Sequence, residues 1–404
     1  MTAPAAGARS REATAGWVRA RFAERDAPAE RFFAAQALPL ARACEAIFRR
    51  LERGGRMLAF GRGSYATDAQ HVSVEFVHPV IVGKRALPAM DLSASFAQRL
   101  PATLREHDVA VGFGPPSGDP EIAAALRDAH RRGAFTVALP GDDASYAVPP
   151  PSDDPHVHQE ILEILGHTLY ESVHVFFEHR EIGREDIGAS GFLYPFLSEQ
   201  RSESSAALIE SVAASIAAKV ADAAALRRAV ADRCAGAIAQ AIELIGARVA
   251  AGGQILAFGN GGSATDATDF ALDCVVPEDG SPPVPAISLS LEPAILTAVA
   301  NDVGTEVTFV RQLIAHGRSG DVAVAFSTSG GSKNVVAALA EARKRDIATI
   351  ALLGYDGGEV VRANLADVAI VADCDYIPRI QEVQATVYHV VREGLARAPA
   401  LRGT

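Results

Sequence analysis

At 404 residues, 49% of them apolar and 22% charged, the chain has the balance of a globular protein of two to three domains, not that of a disordered one. Its net charge of −11 excludes nucleic acid as a general partner, because phosphate backbones need a basic surface, and requires any anionic ligand to be held locally. Four scattered cysteines without a CxxC pair fit a reduced, cytoplasmic setting, and no apolar run approaches the ~20 residues that cross a membrane.

The opening MTAPAAGARSREATAG lacks the hydrophobic core of a signal peptide and reads as a flexible tail. Residues 16–53 carry helical spacing and stop at Gly54-Gly55. MLAFG (57–61) reads as a buried strand, followed by a Gly/Ser turn and a helix to about residue 77. LPAMDL (87–92), DVAVGF (108–113) and FTVALP (135–140) are further strands, with the helix PEIAAALRDAHRRG before the last. A long helix ends near residue 179. Residues 181–205 are polar and rich in Gly and Ser, and read as a linker. Helical spacing over 206–250 then leads to ILAFG (255–259), VPAISL (284–289), DVAVAF (321–326), ATIALLG (348–354) and VAIVAD (368–373), with a final helix from about Arg379. Short strands alternating with helices predict βαβ units and parallel sheets.

The two halves repeat one another. GGRMLAFGRGSYATDA (54–69) and GGQILAFGNGGSATDA (252–267) agree at eleven of sixteen positions, at an offset of 198. DVAV recurs at 108 and 321, an offset of 213, so the second half has about fifteen extra residues between its second and third strands. A period of this length marks two copies of one domain, not a solenoid.

Ser327-Thr328-Ser329-Gly330, with Ser332 close behind, follows the strand DVAVAF and precedes a helix. Hydroxyls and backbone N–H groups at a helix N-terminus form an anion site. Asn260-Gly261-Gly262-Ser263 makes the same kind of strand-to-helix turn. Two such turns at the carboxyl end of one parallel sheet lie where doubly wound folds bind ligands. Helix capping alone is the plainer alternative. No GKS or GKT follows, which excludes a Walker P-loop, and GNGGSA lacks the GxGxxG spacing of a dinucleotide site.

GNGGSATDATDFALDC, LTAVANDVGTE, DVAVAFSTSGGSKNVVAALAEAR and RIQEVQATVYHVV, in that order, resemble the sugar isomerase (SIS) domain, and within it the phosphoheptose isomerase branch. The likeness covers roughly 206–395, and roughly 16–180 resembles a diverged second copy. It implies an α/β fold of two three-layer α/β/α sandwich domains with parallel sheets, flanked by helices: 1–180, then 206–404. It further implies sites at subunit interfaces, a homo-oligomer (a dimer imitating a tetramer of single domains), and conversion of sedoheptulose 7-phosphate to an aldoheptose 7-phosphate, often with zinc.

Carried over by position, the family's zinc and acid–base residues are His71, Glu75, Gln159 and His167 in the first half. The second half keeps Gln381 and His389 but has Asp269 for the His and Asp273 for the Glu. Conversely, the first half has Gly114-Pro115-Pro116 where the second has Ser-Thr-Ser, losing donors that a phosphate needs. The resemblance therefore implies divided labour. Asn260, Gly261, Gly262, Ser263, Asp302, Ser327, Thr328, Ser329, Ser332 and Gln381 hold the sugar phosphate. Glu75 acts as base, His167 as acid, and zinc on His71 and Glu75 polarises the carbonyl. Gln159 and His167 are about 12 Å apart along a helix, so one ion does not readily bridge both, and Gln381 or His389 stays open as a completing ligand. Two rivals stand beside this reading: a non-catalytic sugar phosphate regulator or interaction module, and a different sugar phosphate isomerase such as the aminosugar-forming type.

Overall fold

A computed structural model describes residues 3–80, 84–182, 205–278 and 280–398, so the linker read over 181–205 falls almost wholly outside the described residues. The chain divides into two compact units: residues 27–222, here the first unit, and residues 1–26 with 223–404, the second. Two helices open the chain, α1 (Ala3–Ala23) and α2 (Asp26–Glu52). The opening stretch is thus helical, contrary to its reading as a tail. Ala15, Val18 and Phe22 fall on one helical face and are buried in the core of the second unit.

The first unit continues with β1 (Met57–Gly61), α3 (Tyr65–Val77), β2 (Ala89–Asp91), α4 (Phe96–Thr103), β3 (Val109–Phe113), α5 (Pro120–Arg131), β4 (Phe135–Leu139), β5 (Tyr146–Ala147) and α6 (Pro155–Ile182). All its strand pairs are parallel, in the order β2-β1-β3-β4-β5. Successive side chains of a strand point to opposite faces. Met57, Ala59, Val109 and Val111 accordingly join α2, α3 and α6 in one core, while Leu58, Phe60 and Ala110 join α4 and α5 in another. Three layers result.

Helix α7 (Ser205–Ala250) supplies residues to both units. The second unit then runs β6 (Ile255–Phe258), α8 (Gly262–Val275), β7 (Ala286–Ser288), α9 (Pro293–Asp302), a 3-10 turn (Thr305–Val307), α10 (Thr308–His316), β8 (Val322–Ser327), α11 (Lys333–Lys344), β9 (Ala348–Gly354), α12 (Gly358–Arg362), β10 (Val368–Ala372) and α13 (Ile377–Arg397). Its parallel sheet has the matching order β7-β6-β8-β9-β10. The extra residues between its second and third strands form α9, the 3-10 turn and α10, where the first unit has α4 alone.

Small bonds repeat along with the strands. Asp108 Oδ1 accepts the Arg56 N–H at 2.9 Å, and Asp321 Oδ1 accepts that of Gln254 at 3.0 Å. Ser93 Oγ accepts from Gly61 N, and Ser290 Oγ from Gly259 N, both at 3.1 Å. Gly61 and Gly259 close the strands before the first turn, and a Cβ on either would lie 2.2 or 2.3 Å from the carbonyl oxygen of Tyr65 or Ser263. Only glycine lets the chain turn that tightly into α3 and α8. Among the described residues no helix is long and apolar enough to cross a membrane.

Candidate functional site

In the first unit, α3 and α6 bring four ionisable side chains to one place. His71 and Glu75 are four residues apart on α3, and Glu163 and His167 are four apart on α6, so each pair shares a helix face. Glu75 Oε1 lies 3.4 Å from His167 Nε2 and 3.9 Å from His71 Nε2, and the two imidazoles pack edge to face at 5.1 Å between centroids. Glu75 is 2% exposed and His167 1%. Ligand atoms of His71, Glu163 and His167 lie within 4.8 Å of one another. All four side chains line a cavity of about 10 Å³, the size of a single water or ion.

Glu75 Oε1 accepts no hydrogen bond among the described residues. A carboxylate buried beside two imidazoles is costly unless a cation or a proton compensates it. Two imidazoles with two carboxylates are a donor set suited to zinc or a similar divalent metal. The residues present therefore fit such an ion. Gln159 is placed otherwise: it is buried one turn before Glu163, its Nε2 donates to Asp68 Oδ2 at 3.1 Å, and it does not line the cavity. Neither Glu163 nor Asp68 belongs to the family pattern, although the Gln-x3-Glu-x3-His spacing of α6 stands in the sequence.

The second unit groups Asp269 and Asp273 of α8 with His389 of α13. His389 Nε2 is 3.6 Å from Asp269 Oδ2 and 3.5 Å from Asp273 Oδ2. The Tyr388 hydroxyl donates to Asp269 Oδ2 at 2.7 Å, and Arg392 Nε donates to the Asp273 carbonyl oxygen at 2.8 Å. Ala385 stands at the register of Glu163. Gln381 is buried on the same helix.

The anion loops of the second unit meet at the ends of β6 and β8. Ser327 Oγ accepts from Gly330 N at 3.1 Å, and Ser329 Oγ from Gly331 N at 3.2 Å, which folds the loop on itself. Gly330 has φ +59°, and a Cβ there would lie 2.1 Å from the Gly357 carbonyl oxygen. Ser332 is the N-cap of α11 but its side chain makes no capping bond. Thr328 is half-buried and Ser329 exposed. Gly261 is the N-cap of α8, with φ 58°, while Gly262 and Ser263 are buried in the first turn of that helix. Asn260 and Asn334 exchange amide hydrogen bonds at 3.0 and 2.8 Å, tying one loop to the other. Asp302 is exposed at the end of α9 and accepts from Asn301 Nδ2 at 2.7 Å.

The first unit fills the same places differently. Arg62 and Glu121 hold the positions of Asn260 and Asn334, with Arg62 Nη1 at 3.1 Å from Glu121 Oε1. Asp119 caps α5, its Oδ1 accepting the N–H groups of Glu121 and Ile122 at 2.8 and 3.1 Å. Those helix N-terminal donors already hold an anion of the chain itself, so this loop does not suit a phosphate. His158 Nε2 donates to the Gly114 carbonyl oxygen at 3.0 Å, and burial pushes the imidazole pKa down to about 4.

Comparison with known proteins agrees with this architecture. The SIS domain profile matches residues 220–354. A phosphoheptose isomerase of Geotalea daltonii is 43% identical over 158 residues, 38% of this chain and 80% of that protein. One of Sulfurimonas denitrificans is 43% identical over 134 residues, 33% of this chain and 68% of that protein. The C-terminal domain of glucosamine-fructose-6-phosphate aminotransferase from Francisella tularensis aligns over 93% of this chain and 94% of its own, with TM-score 0.58 and 10% identity. That last likeness is one of fold alone.

Proposed function

This chain belongs to the phosphoheptose isomerase family of SIS-domain proteins, and we propose that it interconverts the ketose and aldose forms of a sugar phosphate, sedoheptulose 7-phosphate in particular. Phosphate recognition falls to the second unit. Hydroxyls of Ser327, Thr328, Ser329 and Ser332, with the N-terminus of α11, supply donors and a favourable dipole. Asn260, Gly261, Gly262 and Ser263 shape the neighbouring turn.

The proton transfers fall to the first unit. Glu75 takes the proton from the carbon beside the carbonyl, leaving its electron pair in a carbon–carbon double bond, while the carbonyl oxygen takes the proton of the neighbouring hydroxyl. The product of that step is an enediol, as its monoanion. The Glu75 carboxyl then returns its proton to the neighbouring carbon as the second oxygen becomes the new carbonyl. One base thus serves both steps, and His167, 3.4 Å away, is left to hold the ion. A zinc ion bound by His71, His167 and a carboxylate would supply Lewis acidity toward the sugar oxygens. The surrounding apolar walls, Val72, Phe113 and Leu162, keep bulk water from the carboxylate.

The observation that carries this reading is the buried Glu75 carboxylate between two imidazoles, in a chain whose relatives bear the name phosphoheptose isomerase. The family resemblance adds a cytoplasmic homodimer of these two-unit chains, with 1–180 and 206–404 as the repeated domains. Incubation with sedoheptulose 7-phosphate, with added zinc or with chelator, tests the activity directly. Aldoheptose phosphate should form in the metal-loaded sample, and no turnover under any metal condition would leave the regulator reading in its place.

A further inference from the structure

We propose that Glu163, and not Gln159, is the α6 ligand that joins His71 and His167 around the metal ion. The inference rests on the metal reading of this site given above. It names a carboxylate that the family pattern does not, and it resolves a conflict in that pattern. A Glu75 that is both tight ligand and free base would have to leave the ion in order to take a proton. With Glu163 holding the ion, Glu75 keeps an oxygen for the substrate.

Helix geometry favours Glu163. It precedes His167 by four residues, about 6 Å of rise on one face, whereas Gln159 precedes it by eight, about 12 Å. The ligand atoms of His71, Glu163 and His167 already lie within 4.8 Å of one another. Donors around a tetrahedral zinc with ~2.1 Å bonds stand roughly 3.4 Å apart, so small rotamer changes complete the site. The cavity is lined by His71, Glu75, Glu163 and His167, while the Gln159 amide is turned to Asp68.

The second unit shows what removes such a site. Glu163 becomes Ala385 there, and Gly166, which lines the cavity, becomes Tyr388. The Tyr388 hydroxyl sits on Asp269 at 2.7 Å, where an ion would need that carboxylate. The inference therefore extends to stoichiometry: one metal ion per chain, held in the first unit.

The test is metal binding, not turnover. Purified full-length protein is stripped with chelator and titrated with Co²⁺ and Zn²⁺, following the Co²⁺ visible spectrum and bound metal by mass spectrometry. The wild type should take up about one equivalent per chain. Glu163→Gln, similar in shape, should weaken binding at least tenfold and alter the Co²⁺ bands, while Gln159→Leu should stay within about threefold and keep the spectrum. Glu163→Asp, which retains a carboxylate, should bind better than Glu163→Gln, and this pair keeps the test decisive if one variant melts early. Unchanged affinity and spectrum in Glu163→Gln, or loss of metal in Gln159→Leu, overturns the assignment. Two equivalents per chain overturns the stoichiometry. A wild type that binds neither ion overturns the metal reading itself, a result distinct from the other two.

Discussion

Asp119 stands at the capping position of the first unit that Ser332 holds in the second. The two are 213 residues apart, the offset of the DVAV strands. Asp119 satisfies two N–H groups of α5 with its own carboxylate, whereas the Ser332 side chain caps none of α11. One unit has supplied its own anion at the place where the other can receive a ligand's. That contrast is the physical core of the divided labour proposed for the two halves.

It predicts that Ser332→Asp copies the first unit's solution onto the second. The new carboxylate should cap α11 and add about 0.5–1 kcal/mol of stability. It should also repel the phosphate, lowering sugar phosphate affinity at least tenfold by calorimetry. A variant that binds substrate as tightly as the wild type would remove the N-terminus of α11 from the phosphate site.

Gly330→Ala attacks the same loop through its backbone. The residue sits at φ +59°, with the Gly357 carbonyl oxygen 2.1 Å from where a Cβ would be. Strain and clash together should cost about 2 kcal/mol or more, displacing the Ser327 and Ser329 hydroxyls. The expected signature is a raised KM with kcat much less affected. A KM equal to the wild type's would mean that the loop's shape does not matter for binding.

Much of this is legible in the sequence. β1, β4, β9 and α5 fall within a residue or two of their sequence positions, because buried parallel strands are short apolar runs punctuated by Gly. Other features are not. β5 is two residues long, too short to leave a period. α1 is rich in Ala and Arg and resembles a tail until Ala15, Val18 and Phe22 find a core contributed by residues more than 200 positions away. The register of Asp119 with Ser332 could be counted from the sequence, but that the aspartate already occupies the helix donors is a matter of side-chain placement. Glu163 is hidden differently: it lies between Gln159 and His167, the two α6 positions that the family pattern names, and is not itself one of them.

His158 sets a pH dependence of stability. Its pKa falls from 6.5 to about 4 because burial disfavours the imidazolium, while its neutral Nε2–H serves the Gly114 carbonyl. Between those values the unfolded chain binds a proton that the folded chain does not. Stability therefore falls as pH falls from 6.5 toward 4, with this group's share levelling off outside that window. The contribution lost by pH 4.5 is about 2 kcal/mol. His158→Gln can still donate to Gly114 but does not titrate, so its melting temperature should drop less between pH 7 and pH 4.5 than the wild type's. Parallel pH profiles for the two proteins would rule out this origin.

The central claim, that Glu75 moves the proton, is tested most directly by the steady-state kinetics of Glu75→Gln on sedoheptulose 7-phosphate, with metal content measured in the same samples. Glutamine keeps the shape of the side chain and removes the base. The account predicts a fall in kcat of about 10²–10⁴-fold, with KM and bound metal close to the wild type's. A Glu75→Gln protein that turns over at the wild-type rate would contradict it.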